Sequence, residues 1–209
     1  MGYKRIKPKR LSGIEEFSNT GRDVVVNVSQ YWAWSHSNLS ANIERGIVAE
    51  FLVASALGVD GDPNLRDPWG DSDIIVGDMR VEVKASAYIQ DWDQKDFSRI
   101  VFSGLKGHWL IEGVDNQGNS IPPELNTEPG GKNYKSHVYV LTVQKHQDHG
   151  TFDLLDLNQW EFYVLSRQEI INATKKGNSL SLKALLKGDF HSTPYSDISA
   201  EIHRKYRHK

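Results

Sequence analysis

Cysteine is absent from the 209 residues, which excludes disulfides, thiol catalysis and cysteine-bound zinc and suits a reducing compartment. Long apolar runs are lacking too. The most apolar stretch, Ile47–Val59, is short and interrupted by Glu50, and the N-terminal MGYKRIKPKRLSG has no apolar signal core. The expectation is an unanchored, cytoplasmic protein with no membrane partner. Neither sign of charge is in excess: 25 Lys and Arg against 27 Asp and Glu leave a formal net charge of -2. No global positive field therefore draws in nucleic acid, and any such contact needs a local patch. The basic runs Lys4, Arg5, Lys7, Lys9, Arg10 and Arg204, Lys205, Arg207, Lys209 are candidates, although charged chain ends are more often simply solvated. No P-loop, G-x-G-x-x-G or G-x-S-x-G occurs, which removes the sequence arguments for a nucleotide motor, a dinucleotide enzyme or a serine hydrolase.

What is present is an ordinary globular balance of 38% hydrophobic and 25% charged residues, enough for a single domain over residues 1–209. Periodicity predicts a helix over Asn42–Leu57 and strands over Asp73–Val76, Arg80–Ala85, Arg99–Ser103, His137–Val143 and Trp160–Leu165. The Gly, Asn and Pro crowded into Glu112–Lys135 predict a long loop or insertion, a plausible place for partner or substrate choice. Helical stretches near Leu180–Leu186 and Ile198–Tyr206 fall in a C-terminal segment spanning about 179–209. The expected class is α/β, with a central mixed sheet flanked by helices.

The most informative segment is DSDIIVGDMRVEVKASAYIQ, residues 71–90. Gly77-Asp78 suits a tight hairpin turn, and counting outward from Val76 opposite Met79 places Asp73 opposite Glu82. Lys84, two residues on, shares the face of Glu82, while Ile74, Val76, Val81 and Val83 point to the other. Opposed carboxylates repel, so a proton, Lys84 or a metal must compensate them. A solvated charged face is the ordinary reading of such a pair. On the preceding helix, however, Ile43, Ile47, Glu50, Ala54 and Leu57 form an apolar stripe with Glu50 in its middle. An unpaired carboxylate there is costly, whereas a cation shared with Asp73 and Glu82 keeps all three ionised. The rival for Glu50 is a flank residue paired with Arg45 or Arg80. Gly46, one turn before Glu50, is expected to permit close approach of the sheet or a substrate.

An acidic residue, a hairpin and Glu-x-Lys on the next strand, preceded by a helix carrying Glu, resembles the PD-(D/E)xK nuclease superfamily, which includes many restriction endonucleases and repair exonucleases. The matching residues are Glu50, Asp73 and Glu82-Val83-Lys84, and the polar continuation Ala85–Gln90 also looks like that of several subgroups. RGIVAEFLVASALG with VEVKASAYIQDW is similar to bacterial members of uncharacterised function. The likeness covers residues 38 to 105, about a third of the chain. Ser72 stands where the named Pro would be, and Asp71 competes with Asp73, although the register would place Asp71 opposite Lys84.

The resemblance implies a restriction-endonuclease-like core and a metal-dependent nuclease, a DNA endonuclease of restriction, defence or repair. DNA is expected before RNA, and a homodimer would place one site on each strand of a duplex. Asp73 and Glu82 would hold Mg²⁺, with Mn²⁺ as a substitute, assisted by the Val83 carbonyl and by Glu50 directly or through water. Lys84 would orient the attacking water, and Gln90 would contact the lysine, water or phosphate, or else act as a plain polar cap; Ser86 has the same standing. The alternatives are a catalytically inactive nucleic-acid-binding module of the same fold, and a structural α/β protein with decorative hairpin charges. Tyr31, Trp32, Trp34, Trp92 and Trp109 could stack on unpaired bases, but aromatics ordinarily fill cores. His146 and His149 have metal-ligand spacing but sit in turn-like sequence, where a solvated loop is the expectation.

Overall fold

The computed structural model describes residues 8–19, 25–61, 66–111 and 113–207. Lys4, Arg5, Lys7, Lys209 and Glu112, all named above, lie outside these residues.

The chain enters through α1 (Val28–His36) and α2 (Asn42–Ala56), then forms β1 (Ile74–Val76) and β2 (Met79–Ala87) as a hairpin. Gly77 supplies the turn's positive φ of 57°, and Val76 pairs with Met79 as the register predicts. Because β2 and its next neighbour, β4 (Val138–Gln144), run parallel, a crossover must return the chain to the starting end of the sheet. Residues 88–137 provide it, and they contain β3 (Val101–Ser103) and the Gly-rich segment. Then β5 (Trp160–Ser166) pairs antiparallel with β4. The order β1-β2-β4-β5 makes a four-stranded mixed sheet, the α/β arrangement expected.

Each face of the sheet carries its own core. On one, Val81, Val83, Val138, Val140, Phe162 and Val164 pack against Ala49 and Val53 of α2 and Ile198 and Ile202 of α5 (Ile198–Arg207). On the other, Tyr139, Leu141, Val143, Tyr163 and Leu165 meet Phe102, Ile170 of α3 (Arg167–Thr174) and Leu185 of α4 (Leu182–Lys187). Alternation along the strands thus serves two apolar faces, interrupted by charge on β2 and by Glu161 near the start of β5. Among the described residues no helix is long and apolar enough to cross a membrane.

Several boundaries differ from expectation, each for a local reason. β3 lies outside the central sheet and pairs with β6 (Ser179–Ser181), so Leu180 belongs to a strand opposite Phe102 and the helix begins only at Leu182. β5 runs one residue beyond the predicted Trp160–Leu165, to Ser166, where the chain turns into α3: Ser166 accepts from the Glu169 N–H, Glu169 accepts from the Ser166 N–H, and this capping box starts α3. The same device, Asn27 with Gln30, starts α1. On α2 the buried line is Arg45, Ala49 and Val53, four residues apart. The predicted stripe is therefore rotated from the centre of the core: Ala54 and Leu57 still pack at its margin, but Ile43, at the start of the stripe, is 77% exposed.

The Gly-rich segment is not a free loop. Asp115 is buried, and its carboxylate pairs at 2.5 Å with buried Arg80 of β2. Trp109 lies beneath the Arg80 guanidinium, 5.9 Å from it, and Asn133 exchanges backbone hydrogen bonds with Gly107. Asp115→Ala should strand a buried guanidinium and cost about 3 to 5 kcal/mol, read as a lower urea midpoint. A change below about 1 kcal/mol would mean that this pair does not anchor the segment.

Candidate functional site

The antiparallel ladder of the hairpin stops at Ile74 opposite Val81, one residue short of the predicted strand start at Asp73. Asp73 therefore leaves the pairing that its register would give it with Glu82. Its Oδ2 accepts instead from the Val83 N–H at 2.7 Å. A carboxylate thus takes the place of the carbonyl of a strand that has ended, satisfying an amide at the open edge of β2. This is why Asp73 is fixed beside Glu82.

Glu82 and Lys84 point from β2 to the face opposite α2, as alternation requires. Lys84 Nζ donates to Glu82 Oε1 at 2.5 Å, and the two side chains are only 26% and 16% exposed, so the solvated charged face is not what forms. The Ser136 hydroxyl, at the approach to β4, lies 2.8 Å from Ser72 Oγ and 3.4 Å from Glu82 Oε2. Ser72, at the position of the named Pro, thus reaches Glu82 through Ser136. Burial, and then the charge of Asp73, pushes the Glu82 carboxyl up to about 7 against the pull of Lys84 and Lys135. Burial opposes the charge on Lys84, but Glu82, Asp73 and Glu50 outweigh it and raise its pKa. Lys84 is accordingly a firmly held cation.

Glu50 belongs to the helix on the other face, but lies beside the buried line of α2 and within electrostatic reach of Asp73 and Lys84. Its pKa is raised by burial first, and Asp73 adds to the rise while Arg66 and Lys84 oppose it. Neither Arg45 nor Arg80 is its partner. Arg66 takes both carboxylate oxygens, Nε on Oε2 and Nη2 on Oε1. Gly46 has nothing within 4 Å of the position a Cβ would occupy, so the expected close approach of the sheet is not made there.

Gln90 is turned to Arg45 and to the Ala87 carbonyl, at 2.9 and 2.8 Å, the bonding of a polar cap. Asp71 is buried and accepts from the Asn116 N–H at 2.7 Å and from Lys135 Nζ at 2.9 Å, not from Lys84. Arg66, Lys135, Ser136 and Tyr139 join the site without having been singled out in the sequence. The last three precede or begin β4, and only its parallel register with β2, Glu82 beside Tyr139, brings them in.

The outlying candidates separate. Tyr31, Trp32, Trp34 and Trp92 are 46, 39, 85 and 52% exposed, whereas Trp109 sits under Arg80 and Lys135. His146 binds Thr151 and His149 stacks on Phe97. In the C-terminal basic run, Arg204 pairs with Glu201 and Lys205 with Glu169.

The donor chemistry of Asp73 and Glu82 fits a hard divalent cation: oxygen ligands, adjacent and mutually repelling, with one proton held unusually tightly. Among the described residues no three acidic or histidine side chains are gathered to hold a metal ion, and Glu50 is bound by Arg66. For Glu50 to serve as a third protein ligand, it would have to exchange Arg66 for the cation. No protein-family model, curated protein or solved structure matches the chain.

Without metal, the raised Glu82 pKa stabilises the fold below the ordinary value of 4.5, and that contribution is lost as pH rises through about 7. Melting temperature should therefore fall over this window more steeply for wild type than for Glu82→Gln. Parallel curves would show that Glu82 ionises at its ordinary value.

Proposed function

We propose that the chain is a metal-dependent nuclease of the PD-(D/E)xK type, with a restriction-endonuclease-like core, that hydrolyses phosphodiester bonds in DNA. The observation that carries this reading is the meeting of Asp73, Glu82 and Lys84 at one hairpin edge, with Glu50 of the neighbouring helix in electrostatic reach. In this reading Asp73 and Glu82 hold Mg²⁺, or Mn²⁺ in its place, and Glu50 joins them directly or through water. The bound cation supplies a water made nucleophilic near neutral pH and neutralises charge on the phosphate.

The rest is the work of the chain. Lys84, charged and tethered to Glu82, is suited to orient the attacking water and to stabilise negative charge on the phosphate oxygens, rather than to accept a proton. Asp73, fixed by the Val83 N–H, sets the position from which the phosphate is addressed. Gln90 holds Arg45 and the end of β2, a supporting role at one remove from the reacting atoms.

One observation favours a second reading, a nucleic-acid-binding module without turnover: Arg66 already neutralises Glu50. The two readings part on metal. For the nuclease, Mg²⁺ at about a hundred times its Kd stabilises the fold by about 2.7 kcal/mol, and Asp73→Ala abolishes that gain. Arg66→Gln should tighten Mg²⁺ binding by freeing Glu50, whereas the module gains no stability from Mg²⁺ with or without Arg66.

The deciding experiment is cleavage of plasmid, single-stranded DNA and RNA by wild type and Lys84→Ala, with Mg²⁺, Mn²⁺ or EDTA. Metal-dependent cutting, reduced about a hundredfold or more in Lys84→Ala, is expected. Equal cutting by the two proteins would remove Lys84 from the site.

A further inference from the structure

Glu82 feels two lysines. Lys84 contacts it directly, and Lys135 lines with it a cavity of about 170 Å³ whose walls also include Asp71, Asp73, Tyr139 and the glycines Gly104 and Gly107, and not Lys84. Among the described residues, Lys135 is the one cation in that lining. Its ammonium carries three donors. One goes to Asp71 Oδ1 at 2.9 Å and one makes a longer bond to the His108 carbonyl at 3.4 Å. The Trp109 ring supports it from 5.3 Å.

The surroundings keep this lysine at the cavity. Gly107 leaves the space it needs, since a Cβ there would come within 3.1 Å of Lys135 Cε. Glu82 senses its charge, so the ammonium belongs to the same electrostatic unit as the paired carboxylates. It is also placed by the crossover that carries Asn116 to Asp71, so its position depends on the folded Gly-rich segment.

We propose that Lys135 is a second phosphate-binding residue of this site, holding the phosphate that neighbours the scissile one on the nucleic-acid strand. The proposal rests on the nuclease reading. Only when a cation offsets Asp73 and Glu82 does the cavity stop repelling a phosphate, and Lys135, which already offsets Asp71, then supplies the positive charge of that lining. An ammonium is suited to this because it meets a phosphate as a point charge and needs no fixed bidentate geometry.

The test compares Lys84→Ala with the triple variant Asp71→Asn/Lys84→Ala/Lys135→Met, so that a duplex can be bound in Mg²⁺ while cutting is suppressed. Removing Asp71's charge together with that of Lys135 avoids an unpaired carboxylate at position 71, the introduced amide oxygen can still accept from the Asn116 N–H, and the loss of Lys84 beside Glu82 is common to both proteins compared. The readout is the dependence of duplex Kd on salt concentration, beside cleavage of the same duplex by wild type. A phosphate contact predicts a log-log slope shallower by about 0.9, restored when Lys135→Arg replaces Lys135→Met. An unchanged slope, with wild type cutting the duplex, would overturn the proposal and leave Lys135 a structural pin beside a nuclease site that stands. Absence of metal-dependent cutting of plasmid, single strand or RNA by wild type would overturn both.

Discussion

Gathering Glu50, Asp71, Asp73, Glu82 and Asp115 around one short hairpin sets negative charge against burial, and the chain offsets it acid by acid. Glu82 has Lys84, Glu50 has Arg66, Asp71 has Lys135 and Asp115 has Arg80. Asp73 alone relies on a backbone amide. Each compensation joins different parts of the chain: Arg66 ties the approach to the hairpin to α2, while Arg80 and Lys135 tie the hairpin to the Gly-rich crossover. The hairpin's position between two apolar faces is inseparable from this neutralisation, because an unpaired charge at any of these places would cost more than the local packing returns.

Much of this was legible in sequence because it follows from period and turn chemistry. Gly77-Asp78 fixed the register of Ile74–Val76 against Met79–Val81, and alternation put Lys84 on the face of Glu82, but the register did not pair Asp73 with Glu82: the ladder ends at Ile74 and the Val83 N–H holds Asp73 there. β4 and β5 appeared because each is a run of β-branched and aromatic residues, and β2 because Val81 and Val83 alternate with polar residues after a turn. The capping boxes Asn27-x-x-Gln30 and Ser166-x-x-Glu169 were equally legible, and weighing them would have placed α1 and the end of β5.

What escaped was long range. Nothing near Lys135 or Ser136 in sequence points to Glu82, and their place follows from the parallel pairing of β2 with β4 across the crossover. The rotation of α2 escaped for a related reason. Periodicity recognised a helix with an apolar side, but the small Ala49 and Val53 fit against the sheet while larger Ile43 does not, and a buried Arg45 completes the line. Glu50 was correctly singled out as a carboxylate in need of a partner. The partner in this structure, Arg66, lies in a stretch with no periodic signal.

The compensations differ in how readily they can be exchanged, and under the proposed nuclease this difference orders the site. Asp73 is bound to the Val83 N–H, so displacing it would strip the open edge of β2 of its acceptor; it is the fixed point. Glu82 and Glu50 are held by the ends of long side chains, Lys84 and Arg66, which can withdraw without disturbing the backbone. A cation arriving at Asp73 would recruit Glu82 first, since the two already repel each other and Lys84 is only one residue beyond Val83. Glu50 would follow at the cost of its two-point contact with Arg66. Each displacement leaves a basic side chain unpaired beside the site. Neutralising the carboxylates thus turns an acidic, self-compensated cluster into one flanked by free positive charge, as an anionic strand would require.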